Sequence, residues 1–294
     1  MSIKQNFMQM FAKQDFAALY SNIAETVTGP FAEALVDISG VAKFIQKPLA
    51  VFDNACGTGI VSKALHDMVD SQVQKDWQLT CGDFSNVMVE FTKKRIQNEE
   101  WPNAEAKVIN AQDTGISTGY YTHIFVAFAF QSFPDPDAAL KECFRVLQPG
   151  GLAASSTWQN NNWIGIVKSA IETLPGNLPF PTAKEFFSMF NAGWDSESFV
   201  RSRYEKEGFE DVQTTVVIKH ISMPVPTFLK FIQPVTFPVL GKIWTQGQRD
   251  AYEKDVLLAV KRYVEEEYGA DGSVTLELET IVTTARKPLT PLES

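Results

Sequence analysis

The chain has 294 residues, 45% of them hydrophobic and 21% charged, which is ordinary for a globular protein able to bury a large core. Its formal net charge of -9 argues against nonspecific nucleic-acid binding, which needs clustered Lys and Arg. The three widely spaced cysteines form no disulfide framework and indicate a reducing compartment. The N-terminus lacks an uninterrupted apolar run, and the most apolar window, residues 225–244, is broken by charge and prolines. We therefore expect a cytoplasmic protein without a signal peptide or membrane span.

Residues 1–48 are predicted to be helical, with Pro30 opening a helix whose apolar positions Phe31, Leu35 and Ile38 follow at helical spacing. From residue 49 the pattern changes to strands alternating with helices. The predicted strands are PLAVFD, WQLTCGD, AKVINAQD, YTHIFVAFAFQ and LAASSTW, and the predicted helices are SKALHDMVD, SNVMVEFTKKRIQ and DAALKECFRVL. This alternation predicts an α/β protein with a doubly wound, mostly parallel sheet.

The second half of the chain is less regular. We predict short helices in residues 159–192, then a helix closed by Gly208, the strand DVQTTVVIKH, helices again over 225–268, and a terminal strand LELETIVTTARK. The segments are 1–48 (N-terminal helical cap), 49–158 (nucleotide-binding core), 159–219 (partial cap insertion, then a helix and strand returning to the core), 220–270 (helical cap) and 271–294 (terminal strand and tail). We interpret them as one domain with a helical cap.

The loop after the first predicted strand is rich in small residues. It is Asp53-Asn54-Ala55-Cys56-Gly57-Thr58-Gly59, and it precedes a predicted helix. Small residues there let a ligand approach the backbone N–H groups and the helix N-terminus. A tight turn without a ligand would also fit the loop alone.

Two further strand ends offer polar groups. The second strand ends in Cys81-Gly82-Asp83, and an acid at that place can accept hydrogen bonds from both ribose hydroxyls of a nucleoside. The alternative for Asp83 is a helix N-cap, which Ser85 would supply equally well. The third strand ends in Asn110-Ala111-Gln112-Asp113, where a carboxylate would accept from an adenine amino group.

NAD and S-adenosylmethionine fit these features alike. A dinucleotide fold, however, would add a second nucleotide-binding half, whereas this chain turns helical after the fifth strand. The Tyr-x-x-x-Lys spacing of short-chain dehydrogenases is also absent from the sequence. These differences disfavour a nicotinamide-dependent oxidoreductase.

The chain resembles the class I S-adenosylmethionine-dependent methyltransferases. The matching segments are the loop at 53–59, with Ala55 in place of the first glycine, Gly82-Asp83-Phe84-Ser85 followed by Met88, Ala111-Gln112-Asp113, and Arg145-Val146-Leu147-Gln148-Pro149-Gly150-Gly151. The resemblance implies a Rossmann-like sheet with an antiparallel last strand and S-adenosylmethionine as cofactor. It implies that Asp83 binds the ribose and that Phe84 and Met88 flank adenine. The full set expected to contact the cofactor is Tyr20, Asp53, Asn54, Ala55, Gly57, Gly59, Asp83, Phe84, Met88, Ala111, Gln112, Asp113 and Phe128.

Longer segments, such as QKPLAVFDNACGTGIVS and ASSTWQNNNWIGIVKSAIETLPGNLPFPTAKEF, are similar to the fungal secondary-metabolite methyltransferases typified by the gliotoxin bis-thiomethyltransferase. That group includes methyltransferases of indole alkaloids, such as the glandicoline B O-methyltransferase. The similarity implies transfer of a methyl group to O, including N-hydroxyl, or to S of an indole-alkaloid or diketopiperazine metabolite. The aromatic residues of the cap segments would suit a flat, apolar acceptor. Such an enzyme would act as a monomer on a small molecule, without nucleic acid or membrane partners.

Methyl transfer to a thiol or an acidic N-hydroxyl does not require a general base. If there is one, His220 is the best of the three histidines, because it is expected to end a strand where the cap resumes; His66 and His123 are expected to be structural. Asn160–Asn162 and Asn191 would orient a polar acceptor. No spacing of His, Cys, Asp or Glu suggests a metal site. The alternatives are an N-methyltransferase of an indole or amino acid, and a non-catalytic regulatory protein with this fold.

Overall fold

The computed structural model describes residues 21, 23–43, 48–190 and 192–289. Within these residues, seven strands form one sheet: β1 Ala50–Asn54, β2 Gln78–Asp83, β3 Ala104–Val108, β4 Tyr121–Ala127, β5 Leu147–Asn161, β6 Glu210–Pro224 and β7 Ser273–Arg286. Their order across the sheet is β3-β2-β1-β4-β5-β7-β6. Strands β1 to β5 are parallel to one another, while β7 is antiparallel to both β5 and β6. The predicted mostly parallel sheet with an antiparallel last strand is confirmed.

The strand order reverses between β1 and β4, which lie side by side but are far apart in the chain. In doubly wound sheets the loops at the carboxyl ends of two such strands diverge and leave a crevice that binds ligands. The fold therefore directs attention to the residues that follow β1 and β4.

Helices cover both faces of the sheet. The α-helices are α1 Gly29–Ser39, α2 Ile60–Met68, α3 Ser71–Gln74, α4 Asn86–Asn98, α5 Pro136–Val146, α6 Trp163–Glu172, α7 Ala183–Phe190, α8 Glu197–Glu207, α9 Val225–Ile243, α10 Gln246–Tyr252 and α11 Val256–Tyr268. Residues 23–27 are also helical. Short 3-10 turns occur at Val41–Lys43 and Glu253–Asp255.

Several local signals in the sequence set the helix ends. Asp135 caps α5 by accepting a hydrogen bond from the Ala138 N–H at 3.0 Å. Gly208 ends α8 in the left-handed conformation, at φ 98°. Thr245 and Gln248 form a capping box at the start of α10. The predicted helix end at Gly208 is confirmed, and the predicted helix at Pro30 is α1, although its Ile38 is exposed rather than buried.

Three apolar clusters form the core of the described part of the chain. One packs α1 and α2 on one face of the sheet and includes Leu35, Leu65 and Phe125. A second packs α5 and α8 on the other face, around Leu140 and Tyr204. The third lies among α6, α7, α9 and α11 and the ends of β6 and β7; it includes Trp163, Ile171, Phe186, Phe228, Val260 and Leu276.

Helix α9 runs unbroken through Pro234 and Pro238. The predicted helical character of residues 225–268 is confirmed here, even though each of these prolines removes a backbone hydrogen bond. The helix persists because Phe228, Ile232 and Val239 on its inner face are completely buried in the third cluster. Within the residues that the structure describes, no helix combines the length and the apolar character needed to cross a membrane.

Candidate functional site

The loop between β1 and α2 adopts the conformation that its small residues predict. Ala55, Gly57 and Gly59 have positive φ angles of 63°, 54° and 80°. At Gly59 an added Cβ would also lie 3.2 Å from the Thr92 side chain, so this position needs glycine for both conformation and space. Ala55 takes a left-handed conformation without being glycine, a strained backbone of the kind that concentrates at binding sites.

Strand β2 holds the loop in place. The Cys56 N–H donates to the Gly82 carbonyl at 2.9 Å, and the Gly57 N–H donates to Asp83 Oδ2 at 2.9 Å. Gly82 itself must be small, since a Cβ there would lie 2.7 Å from the Phe52 ring. The loop after β1 and the end of β2, both predicted to bind a ligand, are therefore in direct contact.

Asp53 is buried at the end of β1. Its Oδ2 accepts hydrogen bonds from the Ser62 N–H at 3.1 Å and from the Ser62 hydroxyl at 2.6 Å. Its Oδ1 is buried without a hydrogen-bond partner among the described residues. Burial raises the pKa of Asp53 to about 7, although the Ser62 hydrogen bonds oppose this shift. A buried carboxyl group with one unsatisfied oxygen is suited to a cationic ligand.

Asp83 is also buried, at the end of β2. Besides the Gly57 contact, its Oδ1 accepts a hydrogen bond from the Ser85 N–H at 2.9 Å. Burial raises the pKa of Asp83, while its two backbone hydrogen bonds lower it. The N-cap of α4 is Ser85, which accepts from the Met88 N–H, so Asp83 is not needed as a cap. Each carboxylate oxygen keeps a second lone pair that can accept from a ribose hydroxyl.

The two predicted adenine neighbours on this side differ in accessibility. Phe84 is 44% exposed just beyond β2, where a flat ring can stack on it. Met88 in α4 is fully buried and offers no surface to a ligand in this structure. A role for Met88 stays a prediction and would require part of its cover to move.

The third strand end is polar and partly exposed. Ala111 is buried, whereas Asp113 is exposed and its N–H donates to the Asn110 carbonyl at 3.1 Å. Gln112 Oε1 accepts from the Asp135 N–H at 2.9 Å, which leaves its amide N–H₂ for a ligand. The exposed Asp113 carboxylate is available to an exocyclic amino group.

A cleft opens at the carboxyl ends of β1 and β4. It is lined by Thr28, Ala32, Asp53, Ala55, Cys56, Gly57, Thr58, Ile60, Val61, Ala127 and Phe128. The structure thus brings together four of the predicted cofactor residues, namely Asp53, Ala55, Gly57 and Phe128. Asn54 turns away, because its Nδ2 donates to Cys143 Sγ at 3.6 Å on the other side of the sheet. Tyr20 lies outside the described residues.

Thr28 and Ala32 also line the cleft, from the start of α1, although no motif in the sequence indicates them. The one signal for them is a spacing of four residues, which puts both on one helix face. Arg95 is likewise unmarked in the sequence; its buried guanidinium donates to the Thr58 carbonyl at 3.1 Å and pairs with Glu25 and Glu99. Arg95 connects α4, the loop and the helical residues 23–27.

None of the three histidines lines the cleft. His66 stacks on Trp101, and burial lowers the pKa of His123 to about 4, so both are accounted for structurally. His220 was expected to end its strand, but β6 continues to Pro224. Its side chain is 65% exposed and its Nε2 lies 3.0 Å from Glu277 Oε2. The neighbouring Ile221 is buried in the third cluster, so the His220 side chain points to the opposite, solvent-exposed face of β6. This position disfavours a general-base role for His220.

The predicted polar residues at the end of β5 are mostly engaged. Asn160 donates to Glu279 at 3.1 Å, and Asn162 Oδ1 accepts from the Glu277 N–H at 3.1 Å. Asn161 Oδ1 is buried and has no partner among the described residues, so it is the best placed of the three to bind a polar group. Asn191 lies outside the described residues.

The comparisons with known proteins agree with this geometry. A family model described as a methyltransferase domain matches residues 51–151. Acetylaranotin bis-thiomethyltransferase from Aspergillus terreus is 46% identical over 285 residues, covering 97% of this chain and 99% of that one. Methyltransferase tpcH from Aspergillus fumigatus is 46% identical over 280 residues, covering 95% and 99%.

A solved structure of Haemonchus contortus phosphoethanolamine N-methyltransferase 2 with S-adenosyl-L-methionine has a TM-score of 0.59 at 15% identity, which shows a shared fold. The match covers 98% of this chain, which spans 60% of the length of the worm enzyme. The sheet, the loop and the family match define a class I methyltransferase, an enzyme that uses S-adenosylmethionine. More narrowly, the chain belongs to the fungal secondary-metabolite methyltransferases, the group that contains acetylaranotin bis-thiomethyltransferase.

Proposed function

We propose that this protein transfers a methyl group from S-adenosylmethionine to a thiol or hydroxyl, including an N-hydroxyl, of a fungal diketopiperazine or indole-alkaloid metabolite. The observation that carries the proposal is the 46% identity to a bis-thiomethyltransferase over nearly the whole of both chains. That identity spans the cap segments as well as the core, and the cap is the part of the fold best placed to select an acceptor.

We infer that the cleft after β1 and β4 holds the methyl donor, which supplies an electrophilic methyl group on a positively charged sulfur. Asp53, with its unsatisfied Oδ1, is suited to the ammonium of the donor's amino-acid part. The backbone of Ala55 and Gly57 lets the donor lie against the loop, and Asp83 accepts from the ribose. Phe84, Ala111, Gln112 and Asp113 are placed around the adenine. Of the remaining predicted contacts, Gly59, Phe128 and Tyr20 complete the proposed set. Asn54 and Met88 stay predictions, because the Asn54 side chain turns toward Cys143 and Met88 is buried.

We further propose a division of labour along the chain. Residues 49–158 hold the donor, while 1–48, part of 159–219 and 220–270 cover the acceptor and exclude water; 271–294 supply the terminal strand and tail. The separate apolar cluster among α6, α7, α9 and α11 supports this division. The protein's own task is then to hold the acceptor atom in line with the methyl group, and positioning of this kind supplies as much as roughly 7–11 kcal/mol in favourable reactions.

A turnover assay read by mass spectrometry tests the acceptor class. The wild-type protein would be incubated with S-adenosylmethionine and one acceptor at a time: a reduced dithiol diketopiperazine, an N-hydroxylated indole alkaloid, or tryptophan. We expect one or two added methyl groups on the dithiol or on the N-hydroxyl compound. Methylation of tryptophan alone would favour an N-methyltransferase, and donor binding without turnover of any acceptor would favour a regulatory role.

Asp83→Ala tests the placement of the ribose. We expect this variant to lose most of its affinity for S-adenosylmethionine, measured by calorimetry, because it loses the hydroxyl acceptor and the anchor of the Gly57 N–H. A melting curve would check that it remains folded. The matched control is Glu90→Ala, which removes an exposed acid from the adjacent helix α4 and should leave the affinity unchanged. Unchanged affinity in Asp83→Ala would show that the ribose binds elsewhere.

We also propose that the protein works in the cytoplasm as a monomer, on a small molecule and without nucleic acid. The free thiols of all three cysteines support a reducing compartment. Size-exclusion chromatography with light scattering would test the monomer.

A further inference from the structure

Phe128 has an unusual backbone for its residue type. It follows β4 directly, lines the cleft at the crevice between β1 and β4, and has a φ of 54°. A positive φ is a genuine outlier for a bulky residue, and it persists only where the surroundings enforce it. Strain of this kind concentrates at ligand sites, so the position of the Phe128 ring needs a functional reason.

The surroundings fix both the backbone and the ring of Phe128. Its N–H donates to the Ser156 carbonyl at 2.8 Å, and its carbonyl accepts from Gln131 Nε2 at 2.9 Å. Its ring stacks on Trp158, with centroids 4.2 Å apart and an angle of 23° between the planes. Phe31 packs edge-on against both rings, at 6.1 Å from Phe128 and 5.5 Å from Trp158. The ring is therefore held rigidly at the wall of the cleft.

The charge of the cleft favours a cation. Among its lining residues in the described part of the chain, Asp53 is the one acid, and there is no Lys or Arg. The face of an aromatic ring is the negative end of its quadrupole and attracts cations, most strongly where water is excluded. An aromatic ring and a carboxyl group thus share a cleft that offers no competing positive side chain.

We propose that Phe128, backed by Trp158, recognises the positive charge on the sulfur of the methyl donor and so makes the cleft prefer S-adenosylmethionine to S-adenosylhomocysteine. This inference rests on the proposed function. In the transfer, a lone pair of the acceptor heteroatom forms the bond to the methyl carbon. The pair of the breaking carbon–sulfur bond stays on sulfur, and the acceptor's proton goes to solvent. The sulfur is neutral afterwards, so Phe128 loses its attraction to it and the product leaves more easily.

Calorimetric dissociation constants of S-adenosylmethionine and S-adenosylhomocysteine test this role without turnover. For Phe128→Leu we expect about threefold to tenfold weaker binding of S-adenosylmethionine, with S-adenosylhomocysteine changed less than about twofold. Phe128→Tyr keeps the aromatic face and should keep the wild-type ratio of the two constants. The matched control is Val61→Ala, which trims an apolar lining residue and should weaken both ligands equally. If Phe128→Leu does not fold, Phe128→Met replaces it.

Equal weakening of both ligands by the Phe128 variant would overturn the inference, because it would mean that the ring only fills space. An unchanged ratio with unchanged affinities would overturn it as well. In both cases the wild-type protein still binds the donor, and the proposed function stands. If the wild-type protein binds neither ligand, the proposed function fails together with the inference.

Discussion

Asp53 combines a buried carboxyl group with a place in the ligand cleft. Because its pKa is raised to about 7, most of the carboxyl is protonated below that pH in the ligand-free protein. A cationic ligand favours the ionised form, so binding must release a proton when it starts below the pKa. The donor cleft should therefore be sensitive to pH in the range in which the carboxyl titrates.

We predict that the affinity for S-adenosylmethionine rises by roughly tenfold between pH 5.5 and 7, as ionised Asp53 becomes available. Calorimetry in buffers of different ionisation enthalpy would show the released proton. Measurements should stay below about pH 7, because α-amino groups have a pKa of about 7.7 to 8.0 and lose their charge above that range. In Asp53→Asn the affinity should be weak and nearly independent of pH over the same range. A steep dependence that persists in this variant would place the titrating group elsewhere.

For His220, the position expected from the sequence, at the end of a strand beside the cap, differs from its exposed position within β6. We predict that His220→Ala keeps kcat/KM within about twofold of the wild-type value, because an exposed pair such as His220–Glu277 contributes little. Loss of a true general base would reduce kcat by about a hundredfold or more. Steady-state kinetics with the acceptor found in the turnover assay separates these results.

At the scale of elements, Arg95 connects three parts of the chain that are distant in sequence. Its side chain is only 7% exposed, and it pairs with Glu25, with Glu99 at 2.8 Å, and with the carbonyl of Thr58 in the loop. The contact with Thr58 makes α4 a support of the loop after β1, and the contact with Glu25 connects the helical residues 23–27 to α4.

We predict that Arg95→Met lowers the free energy of unfolding by about 1–3 kcal/mol, since hydrogen bonds to a charged group are lost while both glutamates can turn to water. The melting temperature should fall by several degrees, and the affinity for S-adenosylmethionine should fall with it as the loop loosens. Lys94→Met removes an exposed charge from the same helix and is the matched control. A stable Arg95→Met protein with full affinity would show that the loop does not depend on this contact.

Helix α9 shows how tertiary packing supports a predicted helix. The sequence predicts helices over 225–268, although Pro234 and Pro238 are local signals against one. The decisive interactions are with residues far away in the chain, since the buried face of α9 packs on β6 and α11. Tertiary packing outweighs local propensity here.

For the whole molecule, the sequence predicts the sheet and the loop that follows β1 better than it predicts the packing of the cap. The strand-and-helix alternation over 49–158 has a strong local signal, and the loop at 53–59 and Asp83 follow from fixed places on that sheet. The position of His220 depends on how far β6 continues, and the cleft residues Thr28 and Ala32 depend on how α1 packs. Both are set by contacts between distant segments. The orientation of Asn54 toward Cys143 likewise cannot be predicted from the sequence, because the two residues are far apart in the chain.

The cap helices α9, α10 and α11 begin and end at neighbouring points of the sheet. Pro224, the last residue of β6, is paired with Ser273, the first of β7, so the stretch 225–272 leaves and returns at one place. Such a stretch can grow, shrink or be exchanged during evolution while the strands keep their register. Under the proposed division of labour, changes confined to this stretch would alter part of the acceptor's surroundings while the strands and the loop after β1 keep their structure.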